Sequence, residues 1–201
     1  MLSYEARHSN ILRLRAHRSG GGVLMGTVRS IYTNVATGSV VNTTTETSLF
    51  PAPGGESVGS TRIIPANQSF AGDIYHVKLE GGYSTNGAGQ TGRIRAKLNS
   101  LTVCDSGVFT LPNTGLGLFE IDYDMLVSIV GNPGEVRIVN FVCSFTTSTG
   151  LQTPTLIYSF GLPAVDFTIA ETIDVTQTWG AASVNNAMNA NVSRISLYRP
   201  H

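Results

Sequence analysis

Charge is scarce in this chain. Only 13% of its 201 residues are Asp, Glu, Lys or Arg, against about a quarter in an ordinary globular domain. Such a composition suits a protein that covers much of its surface with neighbours, and equally a sandwich with uncharged polar faces. Histidine is scarcer still, limited to His8, His17, His76 and His201. Only His76, three residues after Asp73, lies where a catalytic triad could use it, and no GxSxG elbow supplies a nucleophile. Neither CxxC nor HExxH spacing occurs, so nothing supports a zinc site. The sequence therefore predicts no catalytic residues, metal or cofactor. Two cysteines, Cys104 and Cys143, do not make a disulfide framework. Each sits among apolar strand residues and reads as a buried thiol, as a reducing compartment favours. No run approaches the ~20 apolar residues of a membrane helix, and the N-terminal segment has no secretory-type apolar stretch.

What is present is a chain long enough for one well-filled core, with 41% apolar residues and no net charge. That zero conceals an asymmetry. Through Arg29 the basic residues Arg7, Arg13, Arg15, Arg18 and Arg29 face the single acid Glu5, which is +4; the remaining 8 basic and 12 acidic side chains give −4. A basic arm precedes an acidic body. The arm, residues 1–22, alternates Leu12, Leu14 and Ala16 with Arg13, Arg15 and His17, the pattern of a strand with one basic face. Ser3 and Glu5 could instead open a short helix. Ser19-Gly20-Gly21-Gly22 breaks either form and acts as a hinge, so the body is taken as one domain, 23–201.

The body is a succession of strand patterns and turns. Strands are predicted near 27–33, 37–49, 60–64, 73–80, 91–103, 107–111, 117–130, 135–147, 154–160, 165–169, 171–179 and 191–198. The clearest places Phe119, Ile121, Tyr123, Met125, Val127 and Ile129 on one face, with Glu120, Asp122 and Asp124 on the other. A second places Ile173, Val175, Gln177 and Trp179 together. Turn residues separate them at Pro51–Gly55, Gly81-Gly82, Pro112-Asn113 and Asn132-Pro133-Gly134. Residues 181–189 read as a loop or short helical turn. No stretch of the body repeats apolar residues at helical spacing, so the expected fold is all-β, an antiparallel sandwich or barrel.

Three motifs that could carry chemistry have plainer explanations. Gly87-Ala88-Gly89-Gln90-Thr91-Gly92 fits GxGxxG, but the residues after it alternate as a strand where a nucleotide site needs a helix N-terminus. Glu120, Asp122 and Asp124 lie about 7 Å apart along one strand face and read as a solvated or subunit-facing stripe. Arg93, Arg95 and Lys97 line a strand face that could hold an anion or nucleic acid, and more simply faces solvent.

Four stretches in order, Ile64–Asp73, Asp105–Pro112, Phe119–Tyr123 and Ile173–Gly180 continuing through Ser183, Asn185 and Asn186, resemble the small single jelly-roll capsid and vertex (penton) proteins of large icosahedral DNA viruses. Related modules occur in phage fibres and decorations. The resemblance implies an antiparallel jelly-roll β-sandwich with an extended N-terminal arm, and a structural protein of the virion, assembled in the host cell. It implies a homopentamer, with other capsid proteins held by arm residues Leu12, Arg13, Leu14, Arg15 and Arg18 and weak nucleic-acid contact open to the same arginines. The competing expectation is a receptor- or glycan-binding head of a trimeric fibre. A cupin-like enzyme of the same fold class would need a metal-binding histidine cluster.

Overall fold

A computed structural model describes residues 26–35, 37–51, 61–85, 87–147, 150–151, 155–157 and 163–200. The predicted arm, with Leu12, Arg13, Leu14, Arg15 and Arg18, lies outside the described residues, as do 52–60 in the first turn. The strands are β1 (Thr27–Asn34), β2 (Gly38–Val41), β3 (Thr47–Ser48), β4 (Ile63–Ile64), β5 (Ile74–Ser84), β6 (Thr91–Leu98), β7 (Leu101–Asp105), β8 (Phe109–Thr110), β9 (Gly117–Ile129), β10 (Gly134–Thr147), β11 (Gly150–Leu151), β12 (Thr155–Ile157), β13 (Ala164–Val165), β14 (Glu171–Trp179) and β15 (Ala187–Arg199). There is no helix among the described residues, and hence none long and apolar enough to cross a membrane.

Every pairing is antiparallel. The larger sheet runs β1-β15-β5-β9-β10-β11, with β2 also on β15 and β12 and β13 also on β10; the smaller runs β3-β14-β6-β7, with β4 on β14 and β8 on β6. Both sheets contribute to one buried apolar cluster. The fold is all-β, as the alternation predicts, and consistent with a β-sandwich.

The cluster draws on alternate positions. Phe119, Ile121, Tyr123, Met125 and Val127 of β9 are each at most 3% exposed, which at 1.5–3 kcal/mol per side chain contributes about 10 kcal/mol as an upper bound. Opposite them lie Ile94, Ala96 and Leu98 of β6 and Ile173, Val175 and Trp179 of β14, all buried. Aromatic rings cross the interior: Tyr32 meets Phe50 edge-on at 5.4 Å, and Phe109 meets Phe145 at 5.5 Å. Cys104 and Cys143 are buried thiols, and burial pushes the Cys143 thiol up, the neighbouring Cys104 adding to it.

Several expectations need correction. Gly81-Gly82, read as a turn, lies inside β5 and is paired on both sides, to Ala190 and Asn189 of β15 and to Phe119 and Leu118 of β9. The strand predicted over 37–49 is two strands, β2 and β3, the chain leaving the first where Asn42 takes φ 45°. Ile129 is 51% exposed, not inward. It is the last residue of β9 and pairs with Glu135, while Val127 pairs with Val136, so a register shift carries it out of the face. The strand predicted over 91–103 is two strands, because Asn99 adopts φ 49°, a left-handed conformation that Asn tolerates. Its side chain accepts from the Thr172 N–H at 2.9 Å and donates to the Ala170 carbonyl at 3.2 Å, fixing a hairpin. The strand predicted from 191 begins at Ala187, so part of the expected loop is sheet.

Trp179 ends β14 with 1% exposure. Its indole N–H donates to the Val40 carbonyl of β2 at 3.3 Å, a hydrogen bond from one sheet to the other. At the same corner, Gly38 has no room for a side chain, since a Cβ would overlap the Leu49 carbonyl. Replacing Trp179 with Ala is expected to cost ~3–5 kcal/mol in urea denaturation, by emptying a large core site. Trp179→Phe should cost about 1–2 kcal/mol, reflecting the lost indole hydrogen bond and a smaller void.

Candidate functional site

The period of two that fills the core also puts most strand charges on the outer faces; Glu171, at the start of β14, is the exception, 5% exposed and on the same side as Ile173 and Val175. On the smaller sheet, Arg93, Arg95 and Lys97 of β6 stand beside carboxylates. Asp105 of β7 takes Arg93 Nε at 2.7 Å and Arg95 Nε at 2.9 Å. Glu46 takes Arg95 Nη1 at 2.7 Å, Lys97 Nζ at 3.0 Å and the Thr176 hydroxyl at 2.7 Å. Partial burial raises the Asp105 carboxyl, but hydrogen bonds from Arg93, Arg95 and the Gly107 N–H outweigh it and hold it at about 2. Burial likewise opposes Glu46, and Thr176 and Lys97 win, leaving it below the usual range. Asp174 accepts from Ser48 at 2.6 Å and Arg62 at 3.3 Å. The basic stripe read from the sequence is thus a compensated ion network, with its arginine forks already engaged.

The larger sheet carries the acidic stripe. Cross-strand register sets Glu120 beside Glu80, Asp122 beside Lys78, and Asp124 beside His76. Lys78 Nζ reaches Glu80 at 2.9 Å and Glu120 at 3.1 Å. His76 Nδ1 lies 2.9 Å from Asp124 and 3.6 Å from Asp122. The partner expected from sequence proximity, Asp73, is elsewhere: fully buried, it holds Arg199 by two hydrogen bonds of 2.9 and 2.7 Å. Arg199 also covers the Phe70 ring at 4.4 Å, a clasp between the last strand and the start of β5. These cross-strand partners are invisible in the sequence, because only sheet register brings residues 76 and 124 together.

The hydrogen bond to Asp124 raises the His76 imidazole above its ordinary value; burial opposes this, and the charges of Asp122 and Asp124 add to it. Burial, with Glu120 and Asp124 nearby, raises the Asp122 carboxyl despite His76 and Lys78. Ser196 is the β15 neighbour of His76, but its hydroxyl makes no hydrogen bond to the ring, so the three do not form a relay. Among the described residues no group of three or more His, Cys, Asp or Glu is placed to hold a metal ion. Gly87 and Gly89 take left-handed conformations in the loop from β5 to β6, with no helix following; the GxGxxG match is a loop.

Exposed apolar side chains gather where the strands end. Val41 (52%), Leu116 (76%), Leu118 (62%) and Val184 (82%) lie toward one end of the larger sheet. Ile129 at the end of β9, Ile63 and Leu101 on the smaller sheet, and Ile169 in the loop before β14 are also exposed. No family model, curated protein or solved structure matches this chain.

Because the folded His76 value is raised, its contribution is complete below the unfolded value of about 6.5 and is lost as pH rises through the folded value. The melting temperature is therefore expected to fall between about pH 6 and 8. In His76→Asn that slope should flatten, with the variant less stable than the parent at pH 5.5 and nearly equal to it at pH 8.5. Parallel slopes would show that His76 is not the titrating group.

Proposed function

We propose that this chain is a structural protein of a virion, a capsid vertex (penton) or minor capsid protein that assembles as a pentamer on a jelly-roll body, residues 23–201. One observation carries the reading. With the long β10 set aside and β1, β3, β5, β6, β7, β9, β14 and β15 counted as one to eight, the larger sheet orders them one-eight-three-six and the smaller two-seven-four-five. That order supports a jelly roll, two Greek keys rolled together, an architecture shared by viral capsid domains, some lectins and cupins. β10, with β11 to β13, then extends one sheet beyond the eight.

Fold alone does not choose among those functions, so the choice rests on residues. A cupin centre draws on several histidines, whereas His8 and His17 belong to the arm and His201 is the last residue. A capsid role is supported by the low charge, the apolar strand ends and a basic arm on an acidic body. Leu12, Leu14 and Ala16 can extend a neighbour's surface while Arg13, Arg15 and Arg18 meet acidic partners or packaged nucleic acid.

Deleting residues 1–22 tests this. The truncated protein is expected to melt within about 2 °C of the parent, since the described core cluster runs from Tyr32 to Ile195, and to be absent from assembled particles. Truncated protein entering particles at the parental level would reject the arm's role and favour the trimeric fibre head.

A further inference from the structure

The outer face of the larger sheet carries the exposed side chains of Leu118 and Val41 among small and uncharged residues toward one end and carboxylates beyond them, and register fixes their order. Leu118 stands beside Gly82 and Asn189, so the row holding an exposed leucine has a bare backbone at its centre. Val41 and Ala187 form the next row outward, with Leu116 and Val184 in the loops that lead into β9 and β15. In the other direction the rows are Glu120 with Glu80, Asp122 with Lys78 and Arg194, and Asp124 with His76 and Ser196. In these three rows four carboxylates share the face with two permanent cations, Lys78 and Arg194; Arg137 and Glu135 of β10 stand on the same face near its far end.

We propose that this face is the docking surface for residues Ile11–Arg18 of a neighbouring copy of the chain. The inference rests on the assembly reading above and names the surface that the arm grips. The complementarity has two parts. Leu12 and Leu14, about 7 Å apart in an extended segment, match the spacing of successive rows and seat against Leu116 and Leu118 over the gap at Gly82. Arg13, Arg15 and Arg18 have stems long enough to fold back along the surface and bring their guanidinium groups to Glu120, Glu80 and Asp122. Neither half suffices alone: the carboxylates already have partial partners, and the apolar rows are narrow. The arm is long enough to lie along a face of this size. The described chain starts at Gly26 beside Arg199, and the twelve residues back to Leu14 span up to about 40 Å. The Leu118 row lies eight residues along β9 from the Leu126 end, about 26 Å.

The test uses full-length protein carrying Leu14→Cys and Leu118→Cys, the native Cys104 and Cys143 being buried. Mild oxidation is expected to yield a ladder of covalent oligomers, absent from either single variant. In parallel, Glu120→Arg should weaken self-association about tenfold, and adding Arg13→Glu should restore most of it. A crosslink confined within one chain, or no ladder and no restoration in a protein that still needs its arm to associate, would overturn this docking surface and leave the assembly reading intact. A chain that is monomeric with or without its arm would overturn both.

Discussion

Everything in this molecule depends on strand register. The side chains that join the two sheets come from alternate positions, so a slip of one residue on β9 would bury Glu120, Asp122 and Asp124 and expose Tyr123 and Met125. A row of three unpartnered carboxylates could not enter such an interior at tolerable cost. The apolar seam and the charged outer faces are therefore two consequences of one pattern, and neither can shift without the other.

The long strands keep that pattern only because bulges reset it. On β10 the buried residues are Val136 and Ile138 and then Phe141, Cys143 and Phe145, a change from even to odd positions. The register shifts between Val139 and Val142, where Asn140 takes φ 55°. On β15 the change comes between Ala190 and Val192, from Met188 and Ala190 to Ser193 and Ile195. Each bulge bends its strand as well as changing its phase, which lets one sheet keep contact with the other over its full length.

This explains what could be read in advance. The class of fold, the inward face of β9 through Val127, the burial of Trp179 and both thiols follow from local alternation and composition. Ile129, the hairpin at Asn99 and the start of β15 do not, because each turns on an asparagine or a bulge that interrupts the period. Asn99-Ser100 is a recognisable turn signal that the surrounding alternation outweighed. The ionic partners were beyond reach for another reason. Glu46 with Lys97, or His76 with Asp124, are joined by pairing between distant segments, which no local pattern encodes. The strand order that supports a jelly roll is likewise a property of pairing alone.

A capsid vertex demands a particular symmetry from its protein. Basic arms, apolar strand ends and compensated charge would suit several assemblies, but a fivefold site accepts only one stoichiometry. The most direct measurement is the mass of the purified, full-length protein by native mass spectrometry at moderate ionic strength. The account predicts five subunits. Three subunits, or a monomer at every concentration, would contradict it.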